Sequence, residues 1–455
     1  MRISQTQQLL SKVQLGLPIT FGEQARLALL LAFPAIISQL VTIVMEYVDT
    51  AMVGHLGAEA SASIGLVSTT TWLMGGLCSS LAGGFAVMVA QSIGARNIIK
   101  AKQILKKAIV FTLVVSTIIG FIGVVISPYL PYWLGGGDDI VANASIYFLV
   151  FAASIPVWEI NFLMASMLRS AGNMIMPSVV NMAACVLDVV FNYFFIFVLN
   201  KGVLGAALGT LFAIGISAVV LTIYVIFFSK ELRLFRSEST DDIEPYEIIS
   251  PAMEIGLPMS IQHIAICSAH IVSTLIVAPL GTVAIAAHAF GITIEGLCYM
   301  PGYGIGDAAT TLIGQSIGAK RRDMQKSFSL ITMLLGMGFM SFMGIMMYIG
   351  VEPLMKWMTP DVSVQALTTR CLRIEAFAQP MYAASIVAYA IFVGAGDTKV
   401  PVAMNLFSMW VVRLPAVCLL AAKMGLVGVW IAMCAELCFR GIIFILRLSK
   451  KLYYE

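Results

Sequence analysis

Charged residues are scarce in this sequence. Its 27 Lys and Arg and 24 Asp and Glu make up 11% of 455 residues, against about 25% in an ordinary globular domain, so too few exist to cover a water-facing surface. Enzyme signatures are missing as well: there is no HExxH, GxSxG or P-loop pattern, which leaves no metal, nucleophile or nucleotide chemistry to assign, no enzyme activity and no cofactor to expect. The eight cysteines, Cys78, Cys185, Cys267, Cys298, Cys371, Cys418, Cys434 and Cys438, form no CxxC pair and lie in or beside apolar runs. That argues for small packing residues and against a disulfide framework or a zinc site. No basic region supports nucleic-acid binding. No short apolar core with a cleavage site follows the mixed stretch Met1 to Phe21, so no removable signal peptide is expected.

Apolar sequence is what is abundant. Hydrophobic residues are 60% of the chain and mean hydropathy is +0.94. Breaks at Gly, Pro and charge clusters leave twelve apolar segments, approximately 27–53, 62–90, 104–127, 140–167, 175–199, 204–229, 251–278, 284–315, 327–351, 362–392, 399–422 and 426–447. Crossing a hydrocarbon core of about 30 Å takes roughly 20 helical residues, whereas strands of a membrane barrel would be shorter and alternating. The expected fold is an all-α polytopic membrane protein. Lys and Arg gather at alternate connections: Lys12, Arg26, Arg96, Lys100 to Lys107, Arg169, Lys230, Lys320, Arg322, Lys326, Lys399, Arg447 and Lys451 on one side, against Lys201, Lys356 and Lys423 on the other. By the positive-inside rule both termini face the cytoplasm. The polar stretch Lys230 to Ser250 reads as a solvated cytoplasmic linker. The expected division is a cytoplasmic N-terminus at 1–26, a bundle at 27–229, the linker at 230–250, a second bundle at 251–447 and a cytoplasmic tail at 448–455.

The halves repeat. Pro34 matches Pro258, Leu56 and Gly57 match Leu280 and Gly281, QSIGA at Gln91 to Ala95 recurs at Gln315 to Ala319, Pro156 pairs with Pro380, Gly172 with Gly396 and Asn181 with Asn405. Each pair is 224 positions apart (258 − 34 = 224; 405 − 181 = 224), slipping by one where Gly202 meets Gly425. Two six-helix bundles, each entering and leaving on the same side, are therefore expected to be related by a pseudo-two-fold axis along the membrane normal, an arrangement used by transporters that alternate access. The prolines would permit bending or act as static kinks, and Pro34 is the candidate hinge.

Within this apolar background a few acids stand out. The run FPAIISQLVTIVMEYVDTAMVG, Phe33 to Gly54, carries Glu46 and Asp49, although an Asp at mid-bilayer costs about 2.5 to 3.5 kcal/mol on insertion scales. Its twin keeps the proline and the exit glycine but has Ser273 in place of Asp49 and His270 in place of Glu46. Lys and Arg are almost absent at mid-membrane apart from Arg413, and Glu159, Asp307, Arg413 and Glu436 are read as local ion pairs.

The runs VDTAMVGHLG at Val48 to Gly57 and MPGYGIGDAATTLIGQSIGAK at Met300 to Lys320, with the duplicated QSIGA, resemble the multidrug and toxic compound extrusion (MATE) transporters over essentially Leu27 to Arg447. The resemblance implies cation-coupled export of organic cations, drugs and other amphiphiles by a V-shaped pair of bundles. Asp49 stands where the family places an ion-coupling acid. Asp188 and Asn192 match a fifth-span Asn and Asp pair in swapped order, and Thr210 falls at a hydroxyl position. Ile266 and Tyr382 stand where another branch has carboxylates, so that second site is missing. Spaced i and i+4, Asp188 and Asn192 share a helix face, and such an oxygen set can bind Na⁺ or hold a proton between carboxylates. A polar cluster that only pins helix packing is the alternative. For the substrate cavity the candidates are Glu46, Tyr47, Trp72, Trp158, His270, Glu295 and Tyr382, since aromatic rings and acids attract organic cations. The expected setting is a monomer in a bacterial plasma membrane, its partners a small-molecule substrate and the lipid bilayer. A lipid-linked oligosaccharide flippase of related architecture is the competing function.

Overall fold

Among the described residues, 2–234 and 243–454 of a computed structural model, there is helix and no strand. This is the form in which a backbone satisfies its own hydrogen bonds in lipid. The first half comprises α1 (Arg2–Gln14), α2 (Phe21–Gly54), α3 (Ala58–Gly94), α4 (Ile98–Ile126), the short α5 (Leu130–Trp133), α6 (Asp138–Ser170), α7 (Ile175–Tyr193) and α8 (Gly202–Ile223). The second comprises α9 (Pro245–Val277), α10 (Thr282–Gly318), α11 (Arg322–Met358), α12 (Val362–Glu375), α13 (Gln379–Gly394), α14 (Lys399–Phe407) and α15 (Leu414–Tyr454). Eleven helices among the described residues are long and apolar enough to cross a membrane. The last of them, running from Lys399 to Leu452, breaks at Gly425 (φ 60°, ψ −142°), which restores the twelve expected segments. The fold class is thus the expected one.

The repeat is written in the backbone. α3 and α10 each span 37 residues and start 224 positions apart (282 − 58 = 224). Left-handed turns recur at the same offset: Gly57 with Gly281 (φ 110° and 101°), Arg96 with Lys320 (59° and 56°), and Gly172 with Gly396 (81° and 77°). Gly57, at ψ 174°, occupies a region essentially closed to side chains. The proline pair differs. Pro156 lies inside α6, but Pro380 opens α13 after the turn Ala376–Ala378 has interrupted the tenth span.

Several expected boundaries move outward because hydropathy marks the lipid-soluble part of a helix and not its ends. Residues assigned to a polar N-terminus form α1, whose Leu9, Leu10 and Val13 are buried and whose Gln14 Nε2 donates to Gln315 Oε1 at 3.2 Å. The linker is corrected on both flanks: Leu232 is buried in a hydrophobic core cluster, and from Pro245 onward the chain is helical with Ile248 buried in the same cluster. Its middle, 235–242, lies outside the described residues. The tail assigned to 448–455 continues α15 to Tyr454.

The chain forms two compact units, residues 41–263 and residues 1–40 with 264–455. These are not the two bundles read from sequence, because α2 and α9 each contribute their N-terminal part to one unit and the remainder to the other. The two division points, after Leu40 and after His263, differ by 223 positions (263 − 40 = 223), so the exchange obeys the repeat.

Inside each unit, packing follows membrane rules. α4 exposes Val110, Val114, Ile118, Phe121 and Val125 along one stripe and buries the small residues Ala108, Thr112, Ser116, Gly120 and Gly123 along the other. A side chain at Gly120 would meet Ala152 O at 2.7 Å. Small residues at spacing four allow this approach of α6, as expected where lipid offers no hydrophobic drive between helices.

One end of the second unit is tied by ion pairs: Asp397 accepts from Arg447 and from Lys451, each at 2.7 Å. Partial burial pushes the Asp397 carboxyl up, but the bonds from Lys451 and Arg447 outweigh it and hold it below its ordinary value. A carboxyl depressed in the folded state contributes stability above about pH 4, its unfolded value, and loses it as pH falls through the folded pKa. Asp397→Asn is therefore expected to lower the thermal midpoint at pH 7 by the equivalent of at most about 1 kcal/mol. The gap to the wild type should close on acidification below pH 4. A gap that is constant with pH would contradict this.

Candidate functional site

Asp49 stands on α2, Asp188 and Asn192 on α7 and Thr210 on α8, all within the unit 41–263. Asp188 and Asn192 are 1% and 2% exposed, and Asp49 is half-buried. The Asn192 amide donates to both carboxylates, to Asp49 Oδ1 at 2.9 Å and to Asp188 Oδ2 at 3.0 Å. Thr210 faces Asp188, and Tyr147 of α6 lies within electrostatic range of both acids. Further along the same helices Asn181 Nδ2 donates to Thr42 Oγ1 at 3.0 Å, so α7 is fastened to α2 at two levels. The α-helical ladder of α7 gives way to a π-helical turn, Phe194–Val198, just after Asn192, a distortion frequent at functional sites.

Gly209 makes room for this arrangement. A side chain there would overlap Asn192 Oδ1 and approach the Asn192 backbone nitrogen at 2.8 Å.

Two features decide what the site can do. Neither carboxylate has a cationic partner among the described residues, and Asp188 Oδ1 and Asn192 Oδ1 are buried without a hydrogen-bond donor. Buried charge without a partner is costly, and orphaned buried acceptors call for an ion, a proton or a water. The donors are all hard oxygens. No cluster of three or more His, Cys, Asp or Glu able to hold a metal occurs among the described residues. Carboxylate and amide oxygens are groups that can take a proton or a hard cation.

The cavity candidates are dispersed. Glu46 lies one turn before Asp49 and within its electrostatic range. Trp72 is exposed and instead faces His263, ring centroids 5.5 Å apart, with His263 Nε2 3.2 Å from Trp72 O. Trp158 packs near Phe151, and Tyr47, on α2 between Glu46 and Asp49, is half-buried. Glu295, Tyr382 and His270 belong to the other unit, where the structure draws them into a cluster that sequence reading resolved only in part. Glu295, Glu375 and Glu436 lie in electrostatic range of Arg413 or Arg440 or both, all five buried. Ser408 Oγ donates to Glu436 Oε1, Arg440 sits 3.3 Å from the same oxygen, and its guanidinium lies 5.4 Å above the Tyr382 ring. His270 lies within range of Arg413 and His288.

Arg440 is buried as well as Arg413, and one expectation is corrected. Among the described residues Glu159 has no ion-pair partner: it is buried, with Oε1 unpartnered. Glu375, with both oxygens unpartnered, was missed altogether, although an acid and an arginine inside apolar runs were visible signals. Gly209 and Tyr147 carried none, since only their spatial neighbours mark them.

A family model described as MatE matches residues 34–194 and 258–419. The probable multidrug resistance protein NorM of Thermotoga maritima is 26% identical over 420 residues, covering 90% of this chain and 89% of the relative. The multidrug and toxin extrusion protein 1 of Rattus norvegicus is 22% identical over 444 residues, covering 95% and 77%. In fold the chain is similar to the Vibrio cholerae MATE transporter VcmN, solved as an aspartate-to-asparagine mutant, with a TM-score of 0.90 at 21% identity over 96% of this chain and 98% of that one.

Proposed function

The chain belongs to the MatE family of multidrug efflux transporters, and on that premise we propose that it is a secondary antiporter exchanging inward-moving H⁺ or Na⁺ for organic cations, drugs or other amphiphiles. One observation carries the reading: the donorless buried oxygens of Asp188 and Asn192 beside Asp49, in a site without a positive charge of its own. A cation or proton there cancels one of the two negative charges, whereas the empty site leaves two carboxylates tied to one amide. An ion drives a conformational change only through unequal affinity for the two states, and this centre joins α2, α7 and α8, which would have to move. Pro34 lies inside α2 and lacks the N–H that would close the ladder there, so the helix can bend with ion occupancy.

Glu295, buried in a cluster with Glu375, Glu436, Arg413 and Arg440, is the acid that would attract a cationic substrate. The flippase alternative calls for a large basic cavity, whereas the arginines of this cluster lie beside acids. The setting is a bacterial plasma membrane with both termini cytoplasmic.

The test is dye export from vesicles holding the purified full chain, with pH and Na⁺ gradients imposed separately. One of the two gradients should accelerate export severalfold. If neither moves the dye, the antiport reading fails, and whichever acts names the ion.

A further inference from the structure

A cavity of about 330 Å³ opens between α10, α11, α13 and α15 at the basic ends of the spans. We propose that it is a binding site for the phosphate headgroup of an anionic phospholipid. Its cationic lining is Lys320, Arg322, Lys326 and Lys451, and no carboxylate of a described residue lines it. Among the described residues the acids nearest the opening have basic partners: Arg321 holds Asp323 at 2.6 Å, and Arg447 and Lys451 share Asp397. Lys320 and Arg322 complete the basic lining.

The deeper lining is of another kind. Ile317, Ile391, Phe392 and Leu448 form an apolar wall, and Ser329, 1% exposed, has its hydroxyl buried without a partner. Arg322, Gln325 and Ser329 stand at i, i+3 and i+7 on one face of α11, with Ser329 about 10 Å further along the helix than Arg322 at 1.5 Å per residue. A phosphodiester would meet Arg322 and Lys326, a glycerol or ester oxygen would accept from Ser329 Oγ, and an acyl chain would follow the apolar wall. A free phosphate would leave the wall and Ser329 unused. Basic pockets between membrane helices recognise anionic headgroups in this way.

The repeat supplies an independent comparison. At the 224 offset Arg322, Gln325 and Ser329 become Ile98, Ala101 and Leu105 (322 − 98 = 224), and Ala101 and Leu105 are packed in a core cluster of the other unit. Lys320 and Lys326 have basic counterparts in Arg96 and Lys102, so what the second repeat alone carries is the polar face of Arg322, Gln325 and Ser329.

Native mass spectrometry of the full chain, purified in detergent and exposed in turn to phosphatidylglycerol, phosphatidylcholine and inorganic phosphate, tests this. The wild type should retain phosphatidylglycerol over phosphatidylcholine, and the double variant Arg322→Gln, Lys326→Gln should weaken that retention roughly tenfold or more, with phosphatidylcholine unaffected. Lys326→Arg should keep it. Equal retention of the two lipids, an unchanged double variant, or displacement of phosphatidylglycerol by equimolar inorganic phosphate would each overturn the proposal. If the double variant loses its wild-type melting transition, Lys320→Gln at the exposed rim carries the same expectation with a smaller, about threefold, loss.

Discussion

Vesicles carrying Asp188→Asn are expected to lose ion-driven export almost completely. The Asp188 side chain is 1% exposed and supplies one of the two donorless oxygens, so the amide removes a full charge from the place where the ion would be held. Truncating a buried charge-assisted contact costs about 2 to 5 kcal/mol, which corresponds to an ion affinity lower by roughly 30-fold or more. The ion concentration giving half-maximal export measures this. Asp49→Asn should act in the same direction and more weakly, since Asp49 is half-buried, and the two changes should not add because both acids bond the same amide. Stability separates an ion site from a packing pin. Removing one of two adjacent unpaired charges should leave the thermal midpoint unchanged or raised in ion-free detergent, whereas a pin would lose stability. A fall in midpoint with ion-driven export intact would refute the site.

Gly209→Ala is the second large effect. Its methyl would collide with Asn192 Oδ1 and crowd the Asn192 backbone, and overpacking of this kind costs about 1 to 3 kcal/mol. Asn192 cannot yield without weakening its bonds to Asp49 and Asp188, so coupling should fall together with stability. On the same helix a side chain at Gly215 would find nothing within 4 Å, and Gly215→Ala should be neutral or stabilising by up to about 1 kcal/mol. Melting curves of both variants beside their export rates decide the matter. Equal behaviour at positions 209 and 215 would mean that Gly209 does not shape the site.

Much of this was legible in the residues. The repeat could be read because its markers, Gly57, QSIGA and Gly172, are turn residues whose backbone requirements do not drift with their surroundings. Asp49 could be read because an acid in an apolar run needs an explanation, and Asp188 with Asn192 because the family resemblance pointed to them, spacing four then placing both on one face. The exchange of the α2 and α9 ends between units could not, since hydropathy reports how long an apolar helix is and not what it packs against. α1 was hidden by its mixed composition: three buried apolar residues in 13 suffice for docking and barely register in an average. Glu375 and Arg440 were in plain view, but without coordinates each looked like an isolated charge and not a member of one buried cluster.

The doubled turns give the chain an unusual property. Gly57 and Gly281, or Gly172 and Gly396, hold nearly the same φ in two different surroundings. Whatever distinguishes the members of a pair must come from side chains and neighbours, because the backbone geometry is held constant between them. The molecule carries its own matched control. Asp49 against Ser273, and Ser329 against Leu105, are two places where one repeated scaffold carries different side chains.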